Sequence, residues 1–151
     1  YLFNMVCYEK LKDFEDFEDF ENTAFKGIEN LGIENSMNIL NYLGSEYFKK
    51  NDLKNAEQVF IAAIADHPNN HQGYFFLGSI YAVRHKYQRA LAYYTMAILL
   101  TDENGEYYFK RSAAHLMLGN YANAKADMEK SVKKGFNIDA GFKNEVEKLK
   151  I

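Results

Sequence analysis

The sequence predicts an all-α chain built from stacked helix pairs, and three observations predict it. One pattern recurs at an offset of 34 residues. Leu40, Leu43, Gly44, Tyr47, Ala56, Phe60, Ala63 and Pro68 are followed by Tyr74, Leu77, Gly78, Tyr81, Ala90, Tyr94, Ala97 and Asp102. A further step gives Tyr108, Arg111, Ser112, His115, Ala124, Met128, Ser131 and Phe136. A second observation is sparse punctuation: one proline and 9 glycines in 151 residues suit a mostly helical chain. The third is the residue type at each recurring site. Gly44 and Ala56 are small enough for two helices to approach closely, Tyr47 and Phe60 fill the space between them, and Pro68 ends a helix because proline cannot continue one.

Residues 1–36 form an acidic leader. Nine acids stand there against Lys10, Lys12 and Lys26, a balance of −6, whereas the remaining 12 acids and 15 bases give +3. Within it, Asp13 to Glu21 reads DFEDFEDFE, and Leu11, Phe14, Phe17 and Phe20 fall three apart. On a helix this spacing makes an apolar stripe that winds, since each step stops about 60° short of a full turn. The expectation is an amphipathic helix whose Phe14, Phe17 and Phe20 bury against protein, either this chain's own groove or a second copy in a homodimer. Carboxylates on such a helix also fit a solvated face. Gly27, Gly32 and Asn35 then mark a loop, and Ser36 suits a helix N-cap.

Six helices follow, at 37–50, 53–66, 71–84, 87–100, 105–118 and 121–133. Asn51-Asp52, His85-Lys86 and Gly119-Asn120 occupy the turns within pairs, and Asn69-Asn70 and Asn104-Gly105 the turns between them. Gly135 closes the last pair. Asp139 caps a final helix whose apolar face is Phe142, Val146 and Leu149, placed to cover the open edge of the last repeat. The organisation expected is a leader over 1–36, repeats over 37–70, 71–104 and 105–138, and a capping helix over 139–151.

Composition excludes several classes. Cys7 stands alone and cannot form an internal disulfide, which suits a reducing, cytoplasmic setting. No apolar run approaches the length of a membrane span. The start YLFNMVCYEK lacks the basic region of a secretion signal, and its first residue is not Met, which reads as a trimmed start. The charge division does not point to nucleic acid. His67 and His71 stand four apart, but Pro68 between them breaks the helical geometry that a metal pair needs. His115 replaces the Tyr of its register and reads as a core histidine. With no glycine-rich phosphate loop, nucleophile motif or isolated acid pair, the reading is a non-enzyme without cofactor or metal.

The recurring sites match W-x2-L-G-x2-Y…A-x3-F…P, so the chain resembles the tetratricopeptide repeat from Ser36 to Phe136. The third copy departs at Arg111, Ser112, His115 and Phe136, as terminal repeats often do. The resemblance implies a right-handed superhelical stack whose first helices line a concave groove through positions 2, 5, 9 and 12. Those positions are Asn38, Asn41, Ser45 and Phe48, then Gln72, Phe75, Ser79 and Ala82, then Glu106, Phe109, Ala113 and Leu116. Phe48, Phe75, Phe109 and Leu116 need an apolar cover there. A ligand, the leader helix, or ordinary packing between repeats would each supply it. Domains of this family that clamp a chaperone's C-terminal carboxylate carry Lys and Asn where this chain has Asn41 and Ser45, and Lys where it has Glu106; only Lys110 fits. That function is rejected, because an acidic tail would meet Glu106 unpaired.

The layout is also similar to the three-repeat translocator chaperones of bacterial type III secretion. The stretches FKGIENLGIENSMNILNYLGSEYFKKNDLKNAEQVF, YFFLGSIYAVRHKYQRALAYYTMAI and SAAHLMLGNYANAKADM carry this likeness. That family usually has a proline shortly before its third repeat, where this chain has Gly105, and DFEDFEDFE is not a family feature. The likeness implies a virulence-associated chaperone that grips an extended segment of a hydrophobic secreted translocator. Phe48, Phe75, Phe109 and Leu116 would form pockets, and Asn38, Asn41 and Gln72 would pair with its backbone. The alternative is a scaffold module of another complex.

Overall fold

A computed structural model describes residues 36–149. The leader, with Cys7, Phe14, Phe17 and Phe20, lies outside the described residues, and so does the expectation of a helix there. All regular secondary structure among the described residues is helical: α1 (Ser36–Lys49), α2 (Leu53–Asp66), α3 (His71–Val83), α4 (Tyr87–Leu100), α5 (Gly105–Met117), α6 (Tyr121–Lys133) and α7 (Ala140–Lys148). The chain divides into two compact units, one ending at Gly73 and the other beginning at Tyr74.

The first unit packs α1 against α2. Leu40, Leu43, Ala56, Val59, Phe60 and Ala63 are all at most 2% exposed, and each sits where the 34-residue register places it or one turn away. The turn between the helices is a Schellman closure. Asn51 takes the left-handed conformation (φ 61°), and the Asp52 N–H donates to the Tyr47 carbonyl at 2.9 Å. Asp52 then caps α2, its carboxylate accepting from the Asn55 N–H. The helix ends at Asp66, just ahead of Pro68, as the proline requires.

The second unit repeats this construction. His85 (φ 58°) and Gly119 (φ 74°) occupy the same turn position as Asn51, with Lys86 N–H to Tyr81 carbonyl and Asn120 N–H to His115 carbonyl closing the loops. Gly135 (φ 83°) ends α6 the same way, through Phe136 N–H to Ser131 carbonyl. Its core joins Phe75, Tyr81, Ala90, Tyr94, Ala97, Tyr107 and Tyr108. Asp139 caps α7, accepting from Gly141 and Phe142 N–H, and Val146 is fully buried.

The departures in the third repeat prove complementary. Arg111 stands where the earlier repeats have Leu43 and Leu77, and Asp127 where they have Val59 and Tyr93. The two form a bidentate pair, Nε to Oδ2 at 2.7 Å and Nη2 to Oδ1 at 2.8 Å. Ser112, in the Gly44 position, donates its hydroxyl to the Ala124 carbonyl, and Ser131 donates to the Gly105 carbonyl. An apolar helix crossing is thus replaced by a polar one in which each buried group has a partner.

Candidate functional site

The residues expected to face the groove fall on α1, α3 and α5. In the first unit, Asn38 is exposed, and Ser45 and Phe48 are half-buried. The Ser45 hydroxyl turns back to its own helix, donating to the Tyr42 carbonyl at 2.7 Å. Asn41 is only 7% exposed. Its Nδ2 donates to Asn70 Oδ1 at 3.0 Å and to Gln72 Oε1 at 2.9 Å, and Asn70 Nδ2 returns a bond to Asn41 Oδ1 at 2.7 Å. Asn70 Oδ1 also accepts from the Gly73 N–H, which caps the start of α3. The expectation that Asn41 offers its amide to a ligand backbone is therefore corrected: the amide is spent on tying α1 to the start of α3. Gln72 is exposed and joins this network through Oε1.

In the second unit, Phe75 is 8% exposed. Its ring stacks on Tyr107 at 4.5 Å and meets Phe76 at 5.6 Å and Tyr94 at 5.8 Å. The expectation of Phe75 as an open anchor is corrected to a core role. Ser79 is buried as well. Its hydroxyl donates to the Phe75 carbonyl at 3.1 Å and accepts from the Tyr94 hydroxyl at 3.3 Å. Burial pushes the Tyr94 and Tyr107 hydroxyls up to about 12, with the Glu106 carboxylate adding to both.

Phe109 is half-buried, with Phe136 stacked at 5.2 Å and Phe142 edge-on at 5.0 Å. The C-terminal segment thus covers part of this ring. Ala82, Ala113 and Leu116 remain half-buried and Glu106 joins them. The accessible remainder is a face of small and apolar residues with one carboxylate.

His115 lies beside the Arg111–Asp127 pair, Nε2 3.8 Å from Asp127 Oδ2. Burial lowers its affinity for a proton, and the Arg111 charge lowers it further against the pull of Asp127. Sequence reasoning placed His115 in the core but missed the ion pair. The signal was present: Leu43 and Val59 change together to Arg111 and Asp127 in the 34-residue register.

Profiles of the tetratricopeptide repeat match residues 43–105 and 105–133. The chain is a tetratricopeptide-repeat protein. Among solved structures, the first tetratricopeptide domain of Spaghetti (RPAP3), bound to an HSP90 peptide SRMEEVD, superposes with a TM-score of 0.68 at 24% identity, over 74% of this chain and 88% of that one. The translocator chaperone SycD of Yersinia enterocolitica superposes with a TM-score of 0.64 at 17% identity, over 74% and 86% of the two chains. At these identities the likeness is one of fold. The DnaJ homolog subfamily C member 7 of Homo sapiens is 38% identical over 56 residues, which are 37% of this chain and 11% of that protein. This repeat chain therefore spans a small part of that relative's length. No described helix is long and apolar enough to cross a membrane.

Proposed function

We propose that this repeat protein binds an extended peptide segment of a protein client on the faces of its first helices, and that the client is a hydrophobic secreted translocator kept soluble before export. One observation carries the peptide-binding part. Ala82, Ala113, Leu116 and the free edge of Phe109 lie half-buried on first helices, where small and apolar side chains leave room for alternate side chains of a strand-like ligand. In the first unit, the exposed Gln72 is a polar group of the kind that a backbone with unsatisfied amides needs. The binding of HSP90 and Hsp70 peptides by domains of this fold supports a peptide as the class of ligand. The fold shared with SycD supports a translocator as the client.

An acidic chaperone tail fits this face less well. Asn41 and Ser45 use their polar atoms inside the protein, and Glu106 would oppose a carboxylate. Homodimerisation through Phe14, Phe17 and Phe20 belongs to the same reading. A scaffold role in another complex is the competing one, and co-expression separates the two. A hydrophobic translocator that becomes soluble only with this chain, and loses solubility when Leu116 is replaced by Glu, supports the chaperone. A client whose solubility ignores both the chain and Leu116→Glu sinks it.

A further inference from the structure

The α3–α4 hairpin carries a surface that the peptide-binding reading does not use. Between Asp66 and Asp102 the sequence contains no acidic residue, yet it holds Arg84, Lys86 and Arg89 within one turn and its flanks. The structure gathers them around an aromatic stack. Tyr81 and Tyr93 lie parallel, 4° apart at 5.4 Å, and the guanidinium of Arg89 stands 5.5 Å from the Tyr81 ring centre, with that of Arg84 at 6.0 Å. Lys86 and Arg89 are exposed, and their side chains make no ion pair among the described residues.

Their position works against local stability. Lys86 is the N-cap of α4 and makes no capping bond, and Arg89 lies in the first turn. Cations at a helix start oppose the helix dipole. The same sites elsewhere in the chain hold Asp52, which caps its helix, and Asn55 in one hairpin, and the uncharged Asn120 and Asn123, without a capping bond, in another. Three copies of one turn therefore share a backbone, and the middle one alone places a cation at the N-cap. Cations set against the dipole, with only the Tyr81 ring beside Arg89, fit a site shaped by something other than folding.

We propose that this hairpin docks an acidic peptide segment of a partner protein. Charge complementarity selects the partner. The Arg89 guanidinium beside Tyr81 and the exposed Lys86 ammonium suit carboxylates, and the half-buried Tyr93 ring suits an aromatic or apolar neighbour. The surface is distinct from the first-helix faces, so either assignment can fail without the other.

The test is fluorescence anisotropy of the full chain with a labelled peptide of alternating Glu and Phe at low salt. To remove competition from the leader, Asp13, Glu15, Asp16, Glu18, Asp19 and Glu21 are changed to their amides in the background chain. Binding is expected, weakened roughly tenfold by Lys86→Asp or Arg89→Glu and weakened by added salt. The melting temperature of Lys86→Asp should rise, because an acid at this position caps α4; loss of binding then cannot be loss of fold. No binding, equal binding of a Gln and Phe peptide, or unchanged affinity in both variants overturns the proposal. So does tighter, Arg89-dependent binding of a single-stranded DNA oligonucleotide, which would make the surface a nucleic-acid contact.

Discussion

The backbone of Gly44 lies against the ring of Phe60, so closely that a β-carbon there would stand 2.6 Å from Cζ and within 2.8 Å of two further ring atoms. Gly78 meets Tyr94 in the same way, at 2.6 Å. The third repeat keeps the crossing but closes it with the Ser112 hydroxyl on the Ala124 carbonyl. One contact, repeated, thus sets how near the two helices of each pair can come.

Gly44→Ala and Gly78→Ala should each cost about 1–3 kcal/mol, because the aromatic rings they face are fully buried and have nowhere to move. Urea unfolding measures this. Pairing Gly44→Ala with Phe60→Leu should recover part of the loss relative to the sum of the single changes. Unaltered midpoints in both single variants would mean the register is wrong.

Replacing Arg111 by Leu alone leaves Asp127, 6% exposed, without its bidentate partner, and should cost about 3 kcal/mol. The double change Arg111→Leu with Asp127→Val copies Leu43 and Val59 of the first repeat. It should return stability to within about 1 kcal/mol of the starting protein, since a well-packed apolar pair can replace a buried ion pair. A double variant as weak as the single one would show that the pair is not a self-contained swap.

Phe75 and Phe109 should now separate in stability. Phe75→Ala removes a ring stacked on Tyr107 inside the core and should cost about 3–5 kcal/mol. Phe109→Ala opens a half-buried site against Phe136 and Phe142 and should cost less, with its loss concentrated in protection of α7 amides. Thermal melts and hydrogen exchange read both. Equal losses would show that α7 is as firmly held as the core.

Acid should weaken the fold before its carboxylates titrate. His71 and His115 both bind protons less readily than the usual 6.5, burial being the leading cause. A depressed folded value favours the neutral ring, so this stability is whole above about pH 6.5 and is lost as pH falls toward and through the folded value. His115→Asn should flatten the pH dependence of the melting temperature between pH 7 and 5. At the alkaline end the sign reverses. Tyr94 and Tyr107 are pushed up to about 12, so their contribution is present below pH 10 and disappears between about 10 and 12. Ultraviolet titration should show these two tyrosines ionising only as the chain unfolds.

Sequence by itself determined the elements. Helix limits, the turns at Asn51, His85, Gly119 and Gly135, and the Asp139 cap were readable because each depends on neighbours a few residues away. The 34-residue register likewise named the residues at the crossing of a helix pair, the small Gly44 and Ala56 and the space-filling Tyr47 and Phe60, while the contact of Gly44 with the Phe60 ring came from the structure. Tertiary structure alone decided what the first helices expose. Phase along a helix says that Phe75 shares a face with Ser79 and Ala82; it does not say that Tyr107, 32 residues on, will cover that ring. Asn41 was assigned to a ligand for the same reason, and Asn70 and Gln72 claim its amide. Exposure is a property of the whole packed surface, so a sequence period can give a side chain's direction while leaving open whether water or protein lies in front of it.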